Sequence, residues 1–168
     1  MQECCGAENG RFEPISARQI AEPLIAVGYE NKKPSLAWIR NIGLKRGAIA
    51  SSVAHDSHNI IAVGCSDEEI LLAVNSLIDS KGGIVVVDGE TVNCLPLPVA
   101  GIMSNNLGEE VAAAYTELSI LAKNLGSSLK APFMTLSFMA LLVIPDLKIG
   151  DKGLFDVRIF DFVNPQID

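Results

Sequence analysis

Four β-branched residues in a row, Ile84 to Val87, run into Asp88 and Gly89 and out into a second β-forming stretch, Thr91 to Leu95. Asp-Gly between two such runs dictates a hairpin over 84–95, because a type I′ turn needs positive φ at both central residues. Helical patterns flank it. Upstream, Ser66 is followed three residues later by Glu69, the signature of a capping box. Ile70, Val74, Leu77 and Ile78 then recur at helical spacing, with Gly82 and Gly83 as the stop. This predicts a helix over about 67–81. Downstream, Val111, Tyr115, Leu118, Ala122 and Leu125 mark the buried face of a second helix over about 109–125. Glu109 and Glu110 favour its positive N-terminal end, and Gly126 closes it. The fold class expected is α+β: a mixed, largely antiparallel sheet carrying the hairpin, with the two main helices packed on one face.

Shorter elements fill the rest. Residues 1–14 read as a poorly ordered leader, and 15–168 as a single domain, which suits a chain of 168 residues. Ser16 to Ile20 reads as a short helix stopped by Pro23, Leu24 to Val27 as a strand, and Asn31 to Ser35 as a turn. Ile60 to Val63 is a buried strand. Pro132 to Ile144 is almost wholly apolar and belongs in the core, as strand or short helix, with Phe133 and Met134 packed inside. Leu154 to Val163 alternates acidic and apolar residues and reads as one closing strand.

The formal net charge is -7 and the lysines and arginines are scattered, which argues against nucleic acid as a partner. No apolar run reaches the roughly 18 residues of a membrane span, and the N-terminus has no apolar signal core. Cys4, Cys5, Cys65 and Cys94 show no metal-ligand spacing and no disulfide framework. Cys65 and Cys94 adjoin apolar runs and suit buried free thiols. A reducing, cytoplasmic setting is expected.

Gly47 to Asn59 concentrates Ser51, Ser52, His55, Asp56, Ser57, His58 and Asn59 between apolar runs. Buried polar groups left without hydrogen bonds cost about 1–3 kcal/mol each, so these satisfy one another or meet a ligand. Three chemistries compete with a plain polar loop. His55 and His58 beside Asp56 suggest a metal site, but no second pair of ligands completes it. Ser51 or Ser52 with His55 and Asp56 suggests a compressed triad, but the nucleophile-elbow motif is missing. A ligand-facing loop that handles protons through histidine is the third.

The string from Gly43 to Gly64, GLKRGAIASSVAHDSHNIIAVG, resembles the C-terminal domain of bacterial and archaeal adenine deaminases. The resemblance continues through Gly82–Val87, Leu95–Ser104, Ala131–Phe138 and Leu142–Leu147, in the family's order, and covers about residues 43–157. It implies a part in purine salvage, where adenine is hydrolysed to hypoxanthine and ammonia. In that family a metal-dependent amidohydrolase barrel holds manganese or iron through histidines and carboxylates. Such a barrel needs ~200 residues or more, and the only histidines here are His55 and His58. No cofactor is therefore expected on this chain alone. The family's E-R-H stretch upstream is also replaced, by Gly28 to Pro34, which contains no histidine.

What carries over from the resemblance is the cluster from Ser51 to Asn59, as a candidate loop facing the active-site mouth or the domain interface. The chain is expected to be inactive alone, either a separately encoded domain or a piece of a longer one. The expected partners are adenine or a related purine and a barrel domain in cis or in trans. A stand-alone purine-binding or accessory module is the alternative. A face that packs on a barrel exposes apolar surface, so self-association, most simply as a two-fold dimer, is expected as well.

Overall fold

The computed structural model describes residues 5–8, 11–14, 22–28 and 33–164. The expected helix at Ser16 to Ile20 lies outside these residues. A small hairpin comes first, β1 (Cys5–Glu8) paired antiparallel with β2 (Arg11–Pro14). Next are β3 (Glu22–Val27), β4 (Ser35–Ile39), β5 (Ala48–Ser51) and β6 (Ile60–Gly64). Helix α1 (Asp67–Asp79) leads to β7 (Gly83–Asp88) and β8 (Thr91–Pro96). Helices α2 (Gly108–Asn124) and α3 (Pro132–Phe138) follow. The described chain ends in β9 (Leu147–Gly150), β10 (Gly153–Asp156) and β11 (Asp161–Val163).

The main sheet has six strands in the order β4-β3-β6-β5-β7-β8, every neighbouring pair antiparallel. The fold is α+β, and the hairpin sits where Asp-Gly places it, with Asp88 opposite Thr91 and Gly89 at φ +60°. The expected single covered face is a point of difference, because the helices cover both. The central strands β5, β6 and β7 are apolar at successive residues, so each presents a buried side chain to either face. One face (Ala48, Ala50, Ala62, Val85, Val87) takes Ile70, Ala73, Val74 and Leu77 of α1. The other (Ile49, Ile61, Val63, Ile84, Val86) takes Leu118, Ala122 and Leu125 of α2 and its cap, with Phe133 and Leu136 of α3. Alternation in a strand separates these two sets of side chains by one residue.

Helix α1 starts as the capping box prescribes. The Glu69 N–H donates to Ser66 Oγ at 3.3 Å, and Ser66 Oγ lies 3.1 Å from Glu69 Oε2. The Glu69 carboxylate also accepts the N–H of Gly47 at 3.0 Å and of Gly89 at 3.1 Å, so it ties the helix start to β5 and to the hairpin turn. Ile78, expected in the core, is 55% exposed and lines a cavity at the end of α1 instead.

Three other expectations change. Within Pro132 to Ile144 the second of the two expected forms is found, a short helix confined to Pro132–Phe138 with Pro132 in its first turn. Phe133 is buried there, but Met134 faces out at 48% exposure. The closing strand is broken into β10 and β11. Asp156 accepts hydrogen bonds from the Arg158 backbone N–H and guanidinium, both at 2.9 Å, which turns the chain. Cys65 and Cys94 are free but exposed. Cys94 alternates with the buried Leu95 on an edge strand, and Cys65 sits in the bend between β6 and α1. Partial burial still pushes both thiols above their ordinary range.

Glu22, at the start of β3, is only 3% exposed. Its Oε1 accepts the Gly43 N–H at 2.8 Å, and its buried Oε2 has no partner among the described residues. Burial pushes this carboxyl above its ordinary value of 4.5, against backbone hydrogen bonds from Leu44, Gly43 and Ile42 that pull it down. A raised carboxyl contributes stability below its unfolded pKa and loses that contribution as pH rises through the folded value. Glu22→Gln removes the ionisation. Its urea midpoint should gain on the parent's as pH climbs from about 4 to about 7. A gap that stays constant over that range would show that the carboxyl adds no pH-dependent cost.

Candidate functional site

The polar cluster begins on a strand and ends on a strand. Ser51 is the last residue of β5, and Ile60 the first of β6, so residues 52–59 connect two central neighbours of the sheet. The connection therefore emerges at one end of the sheet, beside the start of β7 and the end of α1.

Both serines serve this architecture. Ser51 is 1% exposed and its Oγ accepts the Val53 N–H at 3.0 Å, which starts the turn. Ser52 extends the β5–β7 ladder through its N–H to Gly83 O at 3.0 Å. Its Oγ accepts the Gly83 N–H at 2.7 Å and lies 2.5 Å from Gly101 O, which it binds as donor. This pins the segment after β8 against the sheet. Ser52 Oγ is taken up by backbone as donor and acceptor, and Ser51 Oγ accepts from backbone, which favours a structural role for the serines over the compressed triad.

The histidines take a different environment. The His55 ring stacks on Phe138 of α3, with centroids 5.4 Å apart and planes at 28°. His58 meets His55 edge-on at 6.3 Å and 63°. The His58 N–H closes the loop on Ala54 O at 2.7 Å, and its backbone has φ +46°. Asp56 and Ser57 are exposed at the loop's tip. A non-haem iron site takes two histidines and a carboxylate converging on one point. Among the described residues no group of three or more His, Cys, Asp or Glu could hold a metal ion. The donor set around His55 and His58 does not fit such an ion.

Asn59 points elsewhere. It is 3% exposed, and neither Oδ1 nor Nδ2 of its amide has a hydrogen-bond partner among the described residues. With Ser52 and His58 it lines a cavity of about 480 Å³ at the end of the sheet. The opposite walls are Leu77, Ile78, Lys81 and Gly82 from the end of α1, and Pro98, Ala100 and Gly101 from the pinned segment. Val27, Gly28 and Ile60 complete it. His58, Lys81 and Ala100 all hold positive φ (+46°, +60° and +56°), a conformation that non-glycine residues keep only when their surroundings impose it. Gly82 is required here. A Cβ at Gly82 would lie 2.4 Å from Gly101 Cα.

The structure thus divides the predicted cluster. His55, Asp56 and Ser57 face the α3 side or solvent, Ser52, His58 and Asn59 line the cavity, and Ser51 shapes the turn. The residue-level reading did not find Phe138, Lys81, Gly82, Pro98, Ala100 or Gly101 as neighbours of the loop. All of these but Lys81 lie in Gly82–Val87, Leu95–Ser104 and Ala131–Phe138, the stretches that carry the resemblance.

Comparison with known proteins bears on the whole domain. The family described as "Adenine deaminase C-terminal domain" matches residues 2–161. An adenine deaminase of Methanosarcina barkeri is 55% identical over 156 residues, 93% of this chain and 28% of that protein. One from Sulfurovum sp. is 54% identical over 149 residues, 88% of this chain and 28% of that protein. One from Archaeoglobus fulgidus is 52% identical over 132 residues, 79% of this chain and 24% of that protein. The chain therefore spans about a quarter of the length of these relatives.

Proposed function

Given that this chain belongs to the adenine deaminase C-terminal domain family, we propose that it serves the hydrolysis of adenine to hypoxanthine and ammonia without performing the chemistry. Residues 15–168 act as one domain of the cytoplasm. The manganese or iron chemistry belongs to a barrel domain supplied in cis or in trans, and the chain alone is inactive. Its contribution is the loop from Ser51 to Asn59, placed as a wall of the barrel's mouth.

The observation that carries this reading is the His55–Phe138 stack. It presents a flat aromatic face and a partly exposed imidazole at one end of the sheet, on a connection anchored by two central strands. Such a surface suits a planar base and excludes water from it. Among the described residues no helix is long and apolar enough to cross a membrane. Leu36, Trp38, Val143, Ile159 and Phe160 are each at least half exposed, which supports docking on a barrel and self-association as a two-fold dimer.

The purified chain with manganese and adenine should release no ammonia, and adding a barrel-bearing partner should restore release. In a full-length relative, alanine at the position of His55 should lower turnover about 10- to 100-fold, as displaced positioning groups do. Its melting temperature should hold, because His55 is only partly buried. Ammonia from the chain alone, or full turnover in the variant, would overturn the proposal. A second reading, a purine-binding or accessory module in its own right, is favoured by the Asn59 cavity.

A further inference from the structure

We infer that the cavity at the end of α1 binds a small organic anion, one with a carboxylate or phosphate head and an apolar body. The inference concerns this cavity alone and does not depend on the barrel-wall reading. The cavity's volume, about 480 Å³, falls within the range of small-molecule sites. Val27, Ile60, Leu77, Ile78 and Pro98 make its walls largely aliphatic, which suits the ligand's body.

Charge sets the head. The chain carries 20 Asp and Glu against 13 Lys and Arg. Even so, the titratable residues that line the cavity are His58 and Lys81, and no carboxylate lines it. Asp79 ends α1 and Asp151 packs against Gly28, but neither is part of the lining. Lys81 is exposed and has no ion pair among the described residues, unlike Arg46 with Asp88 and Arg158 with Asp156. Its backbone is held at the rim. The Lys81 N–H donates to Ile78 O at 3.0 Å, and the Gly82 N–H to Leu77 O at 2.8 Å. With the Ser80 N–H on Ser76 O, these bonds occupy carbonyls at the helix's negative end, which left bare would oppose an anion.

A turn supplies the second set of donors. Val99 to Ile102 closes through the Ile102 N–H on Val99 O at 3.2 Å, with φ +56° at Ala100 and +76° at Gly101. Such a turn leaves the N–H groups of its two central residues outside its own hydrogen bond. Neither has a partner among the described residues, and both residues line the cavity. Gly82 packs on Gly101, so the turn and Lys81 meet at one end of the site. Successive free N–H groups in a turn form a concavity suited to an anion. The remaining polar side chains are withdrawn. Ser52 Oγ is held by backbone, and the amide atoms of Asn59 are wholly buried.

The test titrates the purified chain, without metal or barrel, with octanoate, octyl phosphate, octanamide and inorganic phosphate. Octanoate or octyl phosphate should bind saturably and raise the melting temperature. Octanamide, which keeps the body and loses the charge, should bind at least about tenfold more weakly. Inorganic phosphate, which has no body, should bind more weakly than octyl phosphate by a similar factor. Lys81→Met should lower affinity for the anions about tenfold and melt as the parent does, because the side chain is exposed and has no ion pair. Lys123→Met, which removes an exposed charge on α2, should leave affinity unchanged. Binding of octanoate alone assigns a carboxylate head, binding of octyl phosphate alone a phosphate head, and binding of both a site that reads charge. Binding of neither overturns the inference. So does octanamide matching octanoate, inorganic phosphate matching octyl phosphate, unchanged affinity in Lys81→Met, or an equal loss in Lys123→Met. Ammonia release plays no part in these readouts, so the barrel-wall proposal stands or falls separately.

Discussion

Gly47→Ala is expected to cost about 2–5 kcal/mol, the sum of about 1–2 for a left-handed alanine and about 1–3 for overlap in a packed site. Gly47 holds φ +75° at the entrance to β5. A Cβ there would lie 2.3 Å from Val87 O and 2.7 Å from Leu125 Cδ1. The leucine can move, but Val87 O belongs to the backbone of β7, held in its ladder with β5 on one side and β8 on the other. Relief would require the sheet to open. Against a typical domain stability of about 5–15 kcal/mol this is a large fraction. Urea denaturation measures it, and Gly89→Ala is the control. Gly89 has φ +60° with nothing within 4 Å of its would-be Cβ, so only the backbone term of about 1–2 kcal/mol remains. Equal losses at the two positions would show that crowding against β7 contributes nothing.

Phe133→Ala is the second large effect, at about 3–5 kcal/mol, as is usual for deleting a buried aromatic side chain. Phe133 is 2% exposed and sits where α3 meets both the sheet and α2. Its ring lies 6.0 Å from Tyr115 at 59°, a tilted contact between the two helices. The cavity left behind lies where α3 packs on the central strands β5 and β6, so it cannot collapse far. Because α3 also carries Phe138, the loss should reach the His55 stack. Near-ultraviolet circular dichroism should report loosened aromatic packing together with the lower urea midpoint. A loss below about 1 kcal/mol would mean that α3 adjusts freely to the smaller side chain.

The parts legible in the sequence were those fixed by local chemistry. Ser66 and Glu69 marked the start of α1, and Asp88-Gly89 located the β7–β8 turn, because caps and tight turns are decided by a few adjacent residues. Leu118, Ala122 and Leu125 are buried as their spacing requires. Strand β5 was hidden. Ala48 to Ser51 is apolar at every position but its last, so it shows no alternation, and the serines after it made it look like one continuous polar loop. Its place at the centre of the sheet comes from long-range pairing with β6 and β7. The same held for the site. The cluster was visible from Ser51 to Asn59, but its division between two sides depends on which strand each residue leaves, and a string of residues does not state that. The pairing of Ser52 with Gly101 joins positions 49 residues apart.

The bed beneath α1 is made of Ala48, Ala50 and Ala62, each wholly buried. Such small side chains set how near the helix can come to the strands below it. That spacing in turn positions Leu77 and Lys81, and with them the width of the cavity at the helix's far end. Substitutions in this alanine bed can therefore change the cavity's width without lining it, as a shim beneath one end of a beam sets the gap at the other.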